Sequence, residues 1–142
     1  MKQKLIVTII LALMMLATSM IVSCVGKTEA PEQLIEDVTA EQAFRLIEEN
    51  KNDPDLLIID VRTPQEYTDG HIEDAINMDF NSGAFGDEVR KLDRTKKYLV
   101  YCRSGNRSRG AINEMTQLGF EQVYHLYVGI VGWSDAGYPL VK

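Results

Sequence analysis

Cys102 closes the apolar run "KYLVYC" and is followed at once by Arg103, Ser104, Gly105, Asn106, Arg107, Ser108 and Arg109. A thiol is a nucleophile only as its thiolate, and helix N-termini or nearby cations lower its pKa from about 8.5 to roughly 3.5–7.5. Both are at hand in this stretch. A strand ends at Cys102 and a helix begins within a few residues, so the intervening N–H groups can converge as a cradle for an anion. Gly105 lets such a loop turn at positive φ. Neighbouring arginines cannot all face inward, and Arg107, at the far end of the loop, is the one placed to close over a bound anion. The expected chemistry is nucleophilic attack by Cys102 on an anionic substrate. The alternative, a small buried hydrophobe ending a strand, leaves the arginines and the glycine without a purpose.

Asp60, Arg62 and His71 are the other candidates. Asp60 and Arg62 follow the apolar run "LLIID", and charge-assisted hydrogen bonds between them would tie adjacent loops together, with Arg62 also long enough to reach a substrate. His71 could act as a base, but a pre-formed thiolate needs none, so a structural role is expected. Glu66 reads as a helix-capping residue, His125 as a strand or loop residue, and the single tryptophan, Trp133, as core beside the site. No cluster of metal ligands is evident, and neither a metal nor an organic cofactor is expected.

The elements that must position these groups alternate along the chain. Thr39 with Gln42 forms a capping box ahead of Ala40, Ala43, Phe44 and Ile47 at one-face helical spacing. Residues 56–60 are apolar on both alternating faces, as a buried parallel strand requires. Thr63, Pro64 and Glu66 start a short helix that Gly70 stops. "AINM" is a weaker strand, residues 81–93 form a loop and about two helical turns, and residues 97–102 form a second clear strand. Ala111, Ile112, Met115 and Leu118 mark an amphipathic helix closed by Gly119, "QVYHLY" is extended, and a helical turn surrounds Trp133. Strand and helix alternating in this way predict an α/β domain with a parallel sheet covered on both faces. In such sheets functional groups gather beyond the carboxyl ends of the strands, where Cys102, Asp60 and Arg62 fall.

The N-terminus reads as an address. Lys2 and Lys4 precede an apolar run from Leu5 to Val22. The run closes on "IVSC", which resembles the lipobox of bacterial lipoproteins and implies cleavage before a lipidated Cys24. An uncleaved membrane anchor and an ordinary secretory signal are the alternatives. The expected organisation is a signal over 1–23, a lipid-anchored tether over 24–34 and one domain over 35–142, exported and facing the periplasm or the cell surface. Of the 142 residues, 119 would then remain, enough for one core. The mature chain would carry 13 basic and 21 acidic residues, a net charge of −8, which argues against nucleic acid as a partner. With Cys24 lipidated, Cys102 is left without an intramolecular disulfide partner.

Three stretches, "DVRTPQEYTDGHIEDAIN" at 60–77, "YCRSGNRS" at 101–108 and "YHLYVGIVGWSDAGYP" at 124–139, together resemble the single-domain rhodaneses, which are sulfurtransferases. The resemblance runs from about residue 35 to the end. It implies a five-stranded parallel sheet flanked by helices and a monomeric domain. It also implies that Cys102 takes a sulfane sulfur from thiosulfate or a polysulfide, becomes a persulfide, and passes the sulfur to cyanide or a thiol. Cysteine-dependent phosphatases and arsenate reductases keep a loop one residue longer than the four that separate Cys102 from Arg107, which disfavours their chemistry here. A non-catalytic anion- or partner-binding module and a persulfide carrier are the remaining alternatives. Val128 and Asp74 stand where the family usually has glycine, and with Tyr127 they bear on the acceptor rather than the fold.

Overall fold

The computed structural model describes residues 32–142. Five strands form one parallel sheet: β1 (Leu34–Val38), β2 (Leu56–Asp60), β3 (Ala75–Asn77), β4 (Lys97–Tyr101) and β5 (Gln122–Leu126), in the order β1-β5-β4-β2-β3. Among the described residues five helices cover it: α1 (Ala40–Glu49), α2 (Pro64–Asp69), α3 (Phe85–Val89), α4 (Asn106–Gln117) and α5 (Gly129–Asp135).

Both faces of the sheet are used. On one, α3 and α4 place Phe85, Val89, Ala111, Ile112 and Met115 against Ile59, Tyr98, Val100 and Val123. On the other, α1 and α5 place Ala40, Ala43, Ile130 and Trp133 against Ile58, Leu99, Tyr101 and Leu126. Each large apolar side chain buried this way contributes about 2 kcal/mol. This two-sided burial is why β2 and β4 read as continuous apolar runs rather than as alternating ones. The capping boxes at Thr39 and Thr63 are both formed, each with its side chain accepting from the third helical residue and that residue's side chain accepting from the cap.

The structure adds β1, which begins at Leu34, inside the stretch expected to be tether. "LIEDV" is charged and mostly exposed, so it carries no apolar pattern, yet all five of its positions stand in register with β5, from Leu34 beside Gln122 to Val38 beside Leu126. An edge strand is held by backbone pairing, which leaves little trace in side-chain type. The helix after Cys102 begins at Asn106, earlier than its apolar residues suggest, so Arg107, Ser108 and Arg109 lie in its first turn rather than in a free loop. The lipobox, Cys24 and most of the tether lie outside the described residues. Among the described residues no helix is long and apolar enough to cross a membrane.

Candidate active site

β2 and β4 are neighbours, with Asp60 in register with Tyr101, so Asp60 to Arg62 and Cys102 to Arg107 leave the sheet at the same edge. The Cys102 loop is fixed from behind by α5. Ile130 N–H donates to the Cys102 carbonyl at 2.9 Å and Val131 N–H to the Arg103 carbonyl at 3.2 Å. In a planar trans peptide the N–H points opposite to its C=O, so the Arg103 carbonyl drawn toward α5 turns the Ser104 N–H the other way, toward the sulfur. Gly129, at φ 62°, packs directly on this loop, and a side chain there would strike the Arg103 carbonyl. Gly105 caps α4 at φ 95°, and a Cβ on it would strike the carbonyl of Tyr127. Both glycines are therefore demanded by conformation and by close approach.

Cys102 is 1% exposed and makes no disulfide. Gly105 N–H donates to its Sγ at 3.2 Å and Ser108 Oγ at 3.4 Å. Burial alone pushes the thiol's pKa up. The Ser108 hydroxyl and the backbone N–H groups of Ser108, Ser104 and Gly105 outweigh it, and the net shift is downward. The dominant stabiliser is thus hydrogen bonding rather than the arginine charge that the sequence suggests.

The arginines have separate partners. Arg107 forms a two-pronged pair with Glu66, Nη1 to Oε2 and Nη2 to Oε1, each at 2.7 Å. Glu66 is thus both the cap expected of it and the counter-charge of Arg107. Arg109 reaches away, to Asp37 Oδ2 at 3.0 Å. Arg103, Ser104 and Asn106 are exposed. Arg62 is buried against Asp60, with Nη2 to Oδ2 at 2.6 Å and Nη2 to the Gly70 carbonyl at 2.7 Å, so its guanidinium is committed to joining loops and does not extend toward a substrate. Asn77 completes the clamp by donating to the carbonyls of Asp60 and Arg62. His71 stacks on Tyr67, places Nδ1 3.0 Å from the Tyr67 carbonyl, and pairs through its backbone with Val141. These are structural contacts.

Trp133 is core, donating through Nε1 to the Pro139 carbonyl. Tyr127 is 42% exposed beside the loop. Val128 has φ −80°, which any residue adopts, so valine there is unstrained. Asp74 is different. It sits at φ 62°, the single non-glycine residue at positive φ among those described.

One group escaped sequence reasoning. His125 is buried on the α4 face of β5, with Nε2 2.8 Å from Ser108 Oγ and Nδ1 2.8 Å from Asp37 Oδ1. The signal available was its phase: in "QVYHLY" it shares a face with Val123, and a polar residue on a buried face requires partners.

The fold and site together are those of a parallel α/β domain carrying a buried, hydrogen-bonded thiol at a strand end, with the next helix opening on that loop. Residues 39–136 match the model of the rhodanese-like domain, and the chain belongs to that family. It is 33% identical over 87 residues to a sulfurtransferase of Allochromatium vinosum, covering 61% of this chain and 79% of that one. It is 36% identical over 88 residues to a tRNA uridine(34) hydroxylase of Buchnera aphidicola, covering 58% of this chain and 26% of that one. A rhodanese-related protein from Thermoplasma volcanium superposes with a TM-score of 0.62 at 33% identity, over 75% of this chain and 97% of that one.

Proposed function

We propose that the protein is a sulfurtransferase in which Cys102 carries a sulfane sulfur from thiosulfate or a polysulfide to cyanide or a thiol. The observation that carries this reading is the buried Sγ held by the N–H of Gly105 and the hydroxyl of Ser108. With thiosulfate, the Cys102 thiolate attacks the outer sulfur, a sulfur–sulfur bond forms, and the bond to the sulfonate breaks with its electron pair leaving as sulfite. The persulfide anion keeps one negative charge, and the N–H groups that held the thiolate now face that charge. Attack by cyanide or a thiolate on the outer sulfur then restores the Cys102 thiolate.

The excess of 21 acidic over 15 basic residues argues against nucleic acid as a partner. The basic start, apolar run and "IVSC" support lipidation at Cys24 and a domain tethered to a bacterial membrane on its outer side.

The test is to incubate the purified protein with thiosulfate and weigh it beside Cys102→Ser. A gain of about 32 Da in the wild type alone supports the persulfide. No gain with thiosulfate or polysulfide, from a folded protein whose thiol still alkylates, overturns sulfur transfer in favour of a binding module. Incorporation of labelled fatty acid into the wild type but not into Cys24→Ser tests the tether.

A further inference from the structure

Sulfur transfer through a thiolate requires that a sulfur only 1% exposed lose its proton. Three side chains lead in line from that sulfur to the surface. Ser108 Oγ lies 3.4 Å from Cys102 Sγ and 2.8 Å from His125 Nε2, and His125 Nδ1 lies 2.8 Å from Asp37 Oδ1. Asp37 is half exposed, on the edge strand β1. Arg109 donates to its other oxygen at 3.0 Å. The hydrogen bond from His125, and then that from Arg109, hold the Asp37 carboxyl below the usual carboxylate range.

The hydrogens can be assigned from these facts. An ionised Asp37 only accepts, so His125 Nδ1 must donate to it, and Nε2 is left with either a lone pair or a second proton. Ser108 has one hydroxyl hydrogen and three acceptors within reach: His125 Nε2, Cys102 Sγ and, at 3.0 Å, the Gly105 carbonyl. When Nε2 holds a lone pair, Ser108 donates to it and the sulfur receives nothing from the hydroxyl. When Nε2 is protonated it donates to Oγ, and Ser108 is free to donate to the sulfur.

We propose that Ser108, His125 and Asp37 form a proton relay that takes up the Cys102 proton as the thiolate forms and returns it when the thiol reforms. This rests on Cys102 being the nucleophile of the reaction above. In the step, the S–H bond breaks with its electron pair left on sulfur, the proton passes to Ser108 Oγ, and the hydrogen of Ser108 passes to His125 Nε2. Nothing is oxidised. The product is a thiolate that accepts from Ser108, which accepts from an imidazolium held against the Asp37 carboxylate. Ser108 touches the reacting sulfur, while His125 and Asp37 act through it as positioning residues.

The surroundings of His125 contain no competing partner among the described contacts. Asp37 faces it from β1, Ser108 and, through Asp37, Arg109 from α4, and Cys102 from beyond the end of β4, where the in-register residue is the apolar Val100. Arg107, the other charge near the sulfur, is paired with Glu66.

The experiment is the pH profile of Cys102 alkylation by iodoacetamide in the wild type, Asp37→Asn, His125→Asn, Ser108→Ala and the His125→Asn/Ser108→Ala double variant, with thermal unfolding of each. The relay predicts a profile displaced to higher pH in each single variant, with alkylation at pH 7 about tenfold slower, as loss of one hydrogen bond to a charged group implies. The double variant matches Ser108→Ala, since His125 acts only through the hydroxyl. An unchanged profile in folded Asp37→Asn overturns the relay, and so does a further displacement by His125→Asn in the Ser108→Ala background. Asp37→Asn lies at a half-exposed position and keeps the test decisive if the buried His125→Asn does not fold. Alkylation needs no sulfur donor, so a displaced profile together with no persulfide gain sustains the relay while overturning sulfur transfer.

Discussion

Replacing Glu66 with Gln separates charge from shape. Gln is isosteric and still completes the capping box at Thr63, so the helix start is kept while the counter-charge of Arg107 is removed. The hydrogen bond from Arg107, opposed in part by burial and aided by Thr63, brings the Glu66 pKa from 4.5 to about 2. That is a preference for the ionised form of about 3 kcal/mol. Water reaches both partners, whose side chains are 24% and 31% exposed, and its screening reduces the net contribution to about 1–2 kcal/mol. Because the folded-state value is the lower one, this stability is complete above about pH 4.5 and is lost as the pH falls toward 2. Urea unfolding of wild type and Glu66→Gln therefore differs by about 1–2 kcal/mol at pH 7, and the two converge near pH 2. The same charge opposes a dianion at the loop. Its removal leaves the Arg107 guanidinium uncompensated, and KM for thiosulfate falls about 5- to 30-fold, the equivalent of about 1–2 kcal/mol. A KM that rises in Glu66→Gln refutes this reasoning, because it would mean that the carboxylate serves the site by holding Arg107 in place more than its charge repels the donor.

Asp60→Asn leaves the buried Arg62 guanidinium without its counter-charge and lowers stability by about 3–5 kcal/mol, read by chemical unfolding at neutral pH. Gly105→Ala sets a methyl group against the Tyr127 carbonyl at a positive φ; persulfide loading followed by mass falls together with stability, the latter by about 1–3 kcal/mol. Asp74→Gly relieves the one non-glycine residue at positive φ and raises the unfolding free energy by about 0.5–1 kcal/mol, with sulfur loading unchanged.

The position of Cys102 at a strand end, its loop and the alternation of strand and helix were legible in the sequence because each rests on local pattern. Cys102 ends an apolar run, Gly105 marks a turn, and the capping boxes at Thr39 and Thr63 are spelled out within four residues each. β1 was not legible, because "LIEDV" owes its conformation to the register of β5, some 90 residues away. Neither were the partners of the charges. Sequence places Arg103, Arg107 and Arg109 together, but only the packed structure sends Arg107 to Glu66 and Arg109 to Asp37, and turns Arg62 into the buried partner of Asp60.

What the sequence alone determined is thus where the thiol falls, at which edge of which kind of sheet, since periodicity and turn chemistry act over a few residues. What tertiary structure decided is which groups surround that sulfur. The hydrogen bonds to Sγ come from the Gly105 N–H and the Ser108 hydroxyl, at a loop whose Cys102 and Arg103 carbonyls are held by α5, and the line from Ser108 through His125 to Asp37 spans α4, β5 and β1. Hydrogen bonds depend on positions within a few tenths of an ångström, and only the pairing of strands distant in sequence brings those groups to such distances.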